Sequence, residues 1–288
     1  MENITQGETK MGRSSNKVAL VTGASSGMGR DIAKKLLKDG ATVYVVARRV
    51  EQMHDLESLG AKALKMDITK EEDILAVVRK IGKDHGGVDI LVNSAGFGMY
   101  GAMEETTIDD ARYQFEVNLF GLARLTQLVL PAMREKRSGK IINISSVGGK
   151  VHTPLGSWYH ATKYALEGWS DSLRIEVEQF GIDVVIIEPG AIKSEFADVM
   201  TGPMVKRSGK GPYRKMVEGL IAATREAEAK GRMSAPGVIT NLVMKAVHAR
   251  RPKTRYSGGY YACTLLFMRK WLGDRLFDKA VMSIVKAN

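Results

Sequence analysis

Six short runs rich in valine and isoleucine recur through the first two thirds of the chain, and segments of helical length separate several of them. The runs cover residues 17–22, 42–46, 61–66, 88–93, 140–145 and 184–189. The helical segments include residues 27–38, 70–84 and 158–179. Most of the runs are too apolar to alternate between polar and apolar residues, which is typical of strands covered on both faces. The alternation therefore predicts an α/β protein with one doubly wound parallel sheet and helices on both faces.

The 288 residues contain no internal repeat and are enough for one large core. We expect residues 1–15 to be a flexible polar tail and residues 16–288 to form a single domain. This domain would include a substrate loop at about 194–232 and a basic C-terminal extension, predicted to be helical, at about 252–288. The single cysteine, Cys263, excludes an intrachain disulfide, and the five histidines lack metal-ligand spacing. We therefore predict a cytoplasmic protein without a metal site.

The positive charge is concentrated at the end of the chain. Residues 201–288 contain 18 lysines and arginines against five acidic residues, although the whole chain has a net charge of +11. A uniformly basic protein would indicate a nucleic-acid partner, but the first 200 residues are close to neutral and contain no recognisable nucleic-acid module. The sequence thus predicts no nucleic-acid binding.

A glycine-rich turn, TGASSGMG, follows the first predicted strand and leads directly into a helix. Gly23, Gly27 and Gly29 permit a tight turn and close approach of the backbone to a pyrophosphate, beside the N-H groups of the helix N-terminus. Ser25, Ser26 and Met28 lie within the same turn. The spacing is G-x-x-x-G-x-G rather than the more usual G-x-G-x-x-G. Its position after strand 1 predicts a single-domain Rossmann fold that binds a dinucleotide.

The end of the second strand indicates which dinucleotide. A carboxylate would be expected there if the coenzyme had a free 2′-hydroxyl, but the chain reads Ala47-Arg48-Arg49. Because arginine can hold a phosphate through two hydrogen bonds, Arg48 and Arg49 favour NADP(H) over NAD(H). The alternative is two solvated arginines at the start of a helix.

Two further motifs lie at the carboxyl ends of predicted strands. Asp67 and Ile68 follow strand 3, and Asn93, Ala95 and Gly96 belong to the segment NSAG after strand 4. Asp67 can accept a hydrogen bond from the adenine amino group, and the small residues of NSAG allow the backbone to approach the adenosine or ribose. Either motif alone could also be an ordinary turn.

Tyr159 and Lys163 lie four residues apart in a predicted helix, so their side chains share one face. At about 4 Å and an effective dielectric near 20, the attraction is ~4 kcal/mol and would lower the pKa of the phenol from about 10 to about 7. This requires a cleft that is partly closed to solvent, and the alternative is a tyrosine beside a lysine on the surface. Ser146, thirteen residues earlier, adds a hydroxyl at the end of strand 5.

These motifs together resemble the short-chain dehydrogenase/reductase family, in its NADP-preferring, steroid- or lipid-type branch. The resemblance covers residues 16–195 and includes, in order, TGxxxGxG, NxAG, Asn118-x-x-Gly121, Ser146, Tyr159-x-x-x-Lys163 and Pro189-Gly190. It implies that Tyr159 is the general acid/base, that Lys163 lowers its pKa and holds the nicotinamide ribose, and that both residues contact the coenzyme. It further implies that Ser146 polarises the substrate oxygen and that Asn118 holds a water of a proton relay.

The resemblance also implies that the segment from Pro189 and Gly190 through Ile192 to Ser194 contacts the nicotinamide carboxamide. Three positions depart from the family pattern. Ser94 replaces a common asparagine, Ser194 replaces a frequent threonine, and Ser26 stands where many NADP-preferring relatives have a basic residue. Recognition of the 2′-phosphate would therefore depend mainly on Arg48, with Arg49 as a second candidate.

The loops after strands 4, 5 and 6 are mostly apolar and predict a lipophilic ketone or secondary alcohol, of hydroxysteroid or long-chain lipid type, as the substrate. The residues are Phe97, Met99, Tyr100, Val151, Pro154 and Leu155. Another interpretation is that these residues belong to the core of the domain. Alternatives are a 3-oxoacyl-carrier reductase, whose acidic carrier could use the basic end of the chain, a nucleotide-sugar epimerase, and a noncatalytic NADP(H)-binding scaffold. The family implies a homodimer or homotetramer built on the helices around 106–135 and 158–179.

The C-terminal extension contains no run long enough to span a bilayer, since its longest nearly apolar stretch is residues 260–268 and about 20 residues are needed. After Asp274, predicted to be an N-cap, an apolar stripe is formed by Leu276, Phe277, Ala280, Val281 and Ile284. One interpretation is a helix packed on its own domain or on a partner subunit. The other is peripheral contact with an anionic membrane, aided by neighbouring basic residues.

Overall fold

Seven parallel strands form one sheet in the computed structural model, which describes residues 14–194 and 196–286, except for the side chains at positions 197, 198, 284 and 286. The strands are β1 (Val18–Thr22), β2 (Thr42–Ala47), β3 (Lys62–Lys65), β4 (Ile90–Asn93), β5 (Gly139–Ile144), β6 (Ile182–Pro189) and β7 (Arg255–Gly258). Their order across the sheet is β3-β2-β1-β4-β5-β6-β7. The order reverses between β1 and β4, and a ligand crevice is expected outside the carboxyl ends of the strands at that point.

Helices cover both faces of the sheet, as predicted. The described helices are α1 (Gly27–Lys38), α2 (His54–Ser58), α3 (Glu71–His85), α4 (Ile108–Phe115), α5 (Gly121–Lys136), α6 (Ser157–Glu178), α7 (Phe196–Ser208), α8 (Arg214–Ala229), α9 (Gly237–His248), α10 (Ala262–Trp271) and α11 (Asp274–Lys286). On one face Ile32 of α1 and Val243 of α9 pack against the sheet. On the other face Ile74 of α3, Leu125 of α5 and Leu173 of α6 do so. The buried strands thus have an apolar layer on each side, which explains why their sequences do not alternate.

Three features of the fold differ from the sequence predictions. Ser14, assigned to the tail, is buried and donates a hydrogen bond from its hydroxyl to Asp39 at 2.5 Å, so the domain includes it. The predicted substrate loop at 194–232 contains two helices, α7 and α8. The seventh strand, β7, was not predicted, because its sequence RYSG lacks an apolar run.

After strand β7, the described part of the C-terminal extension is helical and packs on its own domain. Phe277 and Val281 of α11 are buried with Val147 and Val151 of the loop after β5. Leu276 is instead exposed, so the predicted stripe does not lie on one buried face. Asp274 is the first helical residue rather than the N-cap, and its carboxylate accepts a hydrogen bond from Arg269. The side chain of Ile284, the last residue of the predicted stripe, lies outside the described part.

Candidate active site

A cleft of ≈ 250 Å³ lies at the carboxyl ends of β1 to β4, where the strand order reverses. Thirteen of the residues predicted to bind the coenzyme line it: Gly23, Ser25, Ser26, Gly27, Met28, Gly29, Arg48, Arg49, Asp67, Ile68, Ala95, Gly96 and Ser194. Phe97, Val117 and Phe196 are also in its wall. The topology of the sheet therefore brings together motifs that are far apart in the sequence.

The glycine-rich turn is shaped by close backbone contacts. Gly23 has a φ of +68°, and a Cβ placed on it would lie 2.8 Å from the Cα of Ala95. A Cβ on Gly29 would lie 2.5 Å from the carbonyl oxygen of Gly23. The Thr22 hydroxyl accepts hydrogen bonds from the N-H groups of Ser94 and Ala95 at 3.0 and 2.9 Å, which holds the two turns together. Neither glycine can carry a side chain without displacing the backbone of the cleft.

The N-terminus of α1 fits a coenzyme pyrophosphate. Ser26 is the N-cap but its side chain makes no capping hydrogen bond, and the first turn contains no acidic residue. The first N-H groups of a helix have no partner within the helix, and the helix dipole favours an anion there. Because Gly27, Met28 and Gly29 line the cleft, a phosphate bound in it would find these donors without competition from a side chain.

The cleft is basic on one side, at the carboxyl end of β2, where the adenosine is predicted to bind. Arg48 and Arg49 are exposed and line the cleft at the end of β2. Arg48 donates a hydrogen bond from Nη1 to the hydroxyl of Tyr113 at 2.9 Å, which fixes its direction. Asp67 accepts two hydrogen bonds on Oδ1 from the backbone and hydroxyl of Thr69, at 3.0 and 2.8 Å. No motif in the sequence indicated Tyr113, which belongs to α4.

Asn93 does not line the cleft, although it was predicted to contact the coenzyme. Its side chain is buried and donates hydrogen bonds to Asn143 at 2.9 Å and to Thr126 at 3.3 Å. The geometry therefore gives it the role of linking β4 to β5 and α5. The neighbouring Ala95 and Gly96 reach the cleft because they follow the end of the strand.

Tyr159 and Lys163 both lie on α6 and both are buried, with Tyr159 7 % exposed. Lys163 donates a hydrogen bond from Nζ to the carbonyl oxygen of Ile144 at 2.9 Å. The ring of Tyr159 lies 5.7 Å from that of Tyr100 and 5.5 Å from that of Phe196, measured between centroids. Since Phe196 also lines the coenzyme cleft, Tyr159 is at the junction between the cleft and an apolar region.

Burial controls the pKa of Tyr159. Removal from water raises the pKa of the phenol, and a hydrogen bond with Ser146 only partly offsets this. The pKa of the phenol is thus raised, not lowered as the helical spacing to Lys163 predicted, and desolvation is the largest cause. Burial also lowers the pKa of Lys163 to about 8. Tyr159 is therefore a protonated phenol at neutral pH.

Ser146 is held in place by the short 3₁₀ turn Val147–Gly149, because its hydroxyl accepts a hydrogen bond from the N-H of Gly148 at 2.9 Å. His160 stabilises the same loop. Its Nδ1 lies 3.0 Å from the carbonyl oxygen of Gly148, and its Nε2 lies 3.0 Å from the N-H of Thr153. A carbonyl can only accept, so we assign the proton to Nδ1. No pattern in the sequence singled out His160.

Asn118 lies in a π-helical segment, Glu116–Phe120, between α4 and α5. Its Oδ1 accepts a hydrogen bond from the N-H of Phe97 at 3.1 Å. Its Nδ2 donates to the carbonyl oxygen of Phe97 and to the hydroxyl of Thr162, both at 3.0 Å. Both amide hydrogens are thus engaged, and a water held at Asn118 would have to use the backbone or the remaining acceptor capacity of Oδ1. Such π-helical turns inside α-helices are frequent at functional sites.

The segment predicted to contact the nicotinamide, residues 189–194, is hydrogen-bonded to the end of β7 and to the residues that follow it. Gly190 donates a hydrogen bond to Gly258 at 2.8 Å and Ala191 donates to Tyr260 at 2.9 Å. A Cβ on Gly190 would lie 2.3 Å from the carbonyl oxygen of Tyr260. Of the predicted residues Pro189, Gly190, Ile192 and Ser194, only Ser194 lines the cleft. Gly190 thus has a packing role in the described structure.

Comparisons with known proteins agree with this geometry. Residues 17–202 match the family model described as short chain dehydrogenase. The 3-ketodihydrosphingosine reductase of Bacteroides thetaiotaomicron is 38 % identical over 268 residues, which cover 92 % of this chain and 96 % of the relative.

Solved structures show the same likeness. A short-chain dehydrogenase from Streptomyces avermitilis is 35 % identical, with a TM-score of 0.73 over 93 % of this chain and 96 % of that one. A metagenomic short-chain oxidoreductase in complex with NADP is 27 % identical, with a TM-score of 0.67 over 85 % of this chain and 98 % of that one. Solved proteins of this fold include complexes with NADP and with NAD. Because the family model matches more than half of the chain, the protein belongs to the short-chain dehydrogenase/reductase family of oxidoreductases.

Proposed function

We propose that the protein reduces the ketone of a lipophilic substrate, of long-chain lipid or steroid type, with NADPH and with Tyr159 as the general acid. The observation that carries this proposal is the burial of Tyr159 at the junction of the coenzyme cleft and an apolar cluster. A phenol with a raised pKa is a proton donor at neutral pH, which suits reduction of a carbonyl rather than oxidation of an alcohol.

Each residue of the site has a distinct part in this reaction. A bound nicotinamide supplies the hydride. Tyr159 donates its proton to the carbonyl oxygen, and the Ser146 hydroxyl donates a hydrogen bond to the same oxygen where negative charge develops. Lys163, as an ammonium, stabilises the tyrosinate that is left, and Asn118 holds the loop at Phe97 against α6.

The apolar surroundings of Tyr159 support a lipophilic substrate. Its cluster contains Tyr100 and Leu155, both predicted substrate residues, together with Met200, Met204 and Val217 of α7 and α8. Flexible methionine side chains adapt to irregular apolar shapes. The relative that is 38 % identical, with 96 % of its length aligned to this chain, is named 3-ketodihydrosphingosine reductase. That name favours the lipid over the steroid type.

A panel of carbonyl compounds tests the proposal. With NADPH and loss of its absorbance as the measurement, we expect kcat/KM for a 3-keto long-chain base to exceed that for a short ketone by at least about 10-fold, because each buried methylene contributes ~0.8 kcal/mol. A 3-oxoacyl-carrier substrate, a steroid ketone and a sugar carbonyl complete the panel. Highest turnover with the carrier-bound substrate would favour the 3-oxoacyl-carrier reductase, and no turnover with any compound would favour the noncatalytic scaffold.

NADP(H) is part of the same proposal. Two arginines and no carboxylate stand at the end of β2 in the wall of the cleft, and a similar oxidoreductase was solved with NADP. The experiment on Arg48 in the Discussion tests this choice.

The expected homo-oligomer also remains a proposal. Apolar side chains are exposed on the helical region predicted to form it, including Phe120 between α4 and α5 and Ile175 on α6. Burying such residues between subunits would be favourable.

We further propose that α10 contacts an anionic membrane surface. Phe267 and Trp271 lie one turn apart on α10, and each is 65 % exposed, while Leu276 nearby is 57 % exposed. The ammonium of Lys270 lies 5.2 Å from the centroid of the Trp271 ring, and the last third of the chain is strongly basic. Exposed aromatic residues beside basic ones are typical of helices that lie in a membrane interface. In the described part of the chain, no helix has the length and apolarity needed to cross a bilayer.

Sedimentation with vesicles tests this contact. We expect the protein to bind vesicles containing phosphatidylglycerol at low salt, and the double variant Phe267→Ser/Trp271→Ser to lose at least about 10-fold in binding, since two large buried side chains contribute about 1.5–3 kcal/mol each. Leu59→Ser, which removes an exposed apolar residue at the end of α2, outside the helices predicted to form the oligomer, is the control. No binding of the wild type at low salt, or loss of self-association instead of vesicle binding in the double variant, would reject the membrane as partner.

A further inference from the structure

A cluster of charged residues lies next to Lys163, one turn further along α6. Its centre is Glu167, which is 3 % exposed. Oε2 of Glu167 lies 3.0 Å from Nε of Arg255 on β7 and 3.2 Å from Nζ of Lys150. Arg255 also donates a hydrogen bond to Asp171 at 2.6 Å and lies 3.6 Å from Glu188 on β6. The cluster thus joins α6 to two strands and to the loop that follows Ser146.

Structural stability does not explain why Glu167 is a carboxylate. Both cations contact Oε2, whereas Oε1 has no hydrogen-bond partner in the described part of the chain. Burying a charge is unfavourable unless all its hydrogen-bonding capacity is used, and replacing a buried ion pair by apolar residues is often neutral. Arg255 already has Asp171 as a partner nearer to solvent. The presence of Glu167 as a second, incompletely paired carboxylate beside Arg255 therefore requires an explanation other than stability.

The surroundings of Glu167 keep it close to Lys163. A Cβ on Gly149 would lie 2.8 Å from Cγ of Glu167 and 3.0 Å from the carbonyl oxygen of Lys163, so only glycine fits there. The hydroxyl of Ser145 would lie 3.1 Å from the same Cβ, and it too has no hydrogen-bond partner in the described structure. The active-site turn is thus packed directly against the side chain of Glu167 and the backbone of Lys163.

Lys163 needs a negative charge nearby. It is 8 % exposed, and in the described structure its ammonium has one hydrogen bond, to the carbonyl oxygen of Ile144. Burial lowers the pKa of Lys163 to about 8, and attraction to Glu167 opposes this fall. The charged and titratable groups of the elements around it are Tyr159, Glu167 and Asp171 on α6, Lys150 in the loop, Glu188 on β6 and Arg255 on β7.

We propose that Glu167 is a positioning residue of the active site, whose buried carboxylate, fixed by Arg255 and Lys150, keeps Lys163 an ammonium. This inference rests on the proposed function, because it assigns Glu167 a role through Lys163 and Tyr159. With the carboxylate present, Lys163 is largely charged at neutral pH and can stabilise the tyrosinate left by proton donation. Without it, the lysine would lose its proton near neutrality and the tyrosinate would lose its countercharge.

The direct test is an NMR titration of Lys163 in the ligand-free protein, with ¹³C-labelled lysine and the signal assigned by its absence in Lys163→Arg. We expect a pKa of about 8 in the wild type. In Glu167→Gln the pKa should fall by about one unit or more, as expected when a charge within a few ångströms is removed. Glu167→Asp, which keeps the charge, should restore most of the value.

Asp171→Asn is the matched control, because it also removes one carboxylate partner of Arg255 but lies two helical turns from Lys163. We expect it to leave the pKa of Lys163 within about half a unit of the wild type, since attraction between charges weakens with distance. An unchanged pKa in Glu167→Gln, or equal shifts in both variants, would overturn the proposal.

Turnover gives a second readout. The alkaline limb of the pH profile of kcat/KM should move to lower pH in Glu167→Gln, by the same shift as the lysine titration, and stay in place in Asp171→Asn. If the wild type reduces no carbonyl, the proposed function fails while the NMR titration still decides the role of Glu167. If Glu167→Gln does not fold, the double variant Glu167→Gln/Arg255→Gln removes one buried charge of each sign, and a smaller fall in the pKa of Lys163 is expected because loss of the Arg255 cation opposes it.

Discussion

Tyr159→Phe lowers kcat for carbonyl reduction by about 10²–10⁴-fold, the usual contribution of a positioned general acid. The substitution removes one oxygen from a ring that remains packed against Tyr100 and Phe196, so the fold should be preserved. Because Tyr159 does not line the coenzyme cleft, the dissociation constant for NADPH should change by less than about 3-fold. Steady-state kinetics with the best ketone of the panel, and fluorescence titration with NADPH, measure the two quantities.

Tyr164→Phe is the matched control, because Tyr164 lies on the same helix and its hydroxyl donates a hydrogen bond to the carbonyl oxygen of Lys150. It is exposed and lies outside the cleft, so kcat should stay within about 2-fold of the wild type, as is usual for surface changes. Turnover that survives Tyr159→Phe would show that another group supplies the proton. Equal losses in both variants would indicate a disturbance of α6 rather than lost acid catalysis.

The turn and strand motifs that could be predicted from the sequence are those whose residue types are determined by neighbouring residues in the chain. A glycine at position 23 is required by a positive φ, and the arginines after β2 are adjacent in the chain. The apolar runs predict six of the seven strands, and in the central strands burial on both faces favours valine and isoleucine, whereas the edge strand β3 is partly exposed. Parallel topology then places the strand ends at one edge, which is why most of the predicted cleft residues lie together.

What could not be predicted depends on contacts between distant segments. Strand β7 has the sequence RYSG, and it pairs with β6 while its arginine is held by carboxylates of α6. The orientation of Asn93 is determined by Asn143, fifty positions away. The buried face of α11 is determined by the pocket that receives Phe277, not by the apolar stripe of the helix itself. Helical periodicity identifies which residues share a face, but not which face has a partner.

The pair of Tyr159 and Lys163 shows the same limit in energetic terms. Their spacing correctly indicates a shared helix face, but the sign of the pKa change depends on how much water the fold excludes. Burial raises the pKa of the phenol and lowers that of the amine. Both shifts disfavour the charged form of the side chain, so the site requires a fixed negative charge to keep Lys163 protonated. This is the physical reason for assigning a role to the buried Glu167.

Coenzyme selectivity should respond strongly to Arg48. In Arg48→Ala, we expect kcat/KM for NADPH to fall by about 10- to 100-fold and that for NADH to change by less than about 3-fold, because a hydrogen bond to a charged group contributes about 1.5–3 kcal/mol. The loss concerns the 2′-phosphate alone, which NADH lacks. The ratio of the two kcat/KM values, measured with one ketone at one ionic strength, gives the effect directly.

Two variants separate phosphate recognition from a change in overall charge. Arg112→Ala removes the same charge from the neighbouring helix α4, where Arg112 pairs with Asp109 at 2.9 Å outside the cleft, and should leave the ratio unchanged. Tyr113→Phe removes the hydroxyl that accepts from Arg48 at 2.9 Å but keeps the guanidinium, so it should lower the ratio by only a few-fold, about the value of one neutral hydrogen bond. An unchanged ratio in Arg48→Ala would exclude Arg48 as the phosphate ligand. Equal changes in Arg48→Ala and Arg112→Ala would mean that the long-range field of the protein, and not a contact with the 2′-phosphate, favours NADPH.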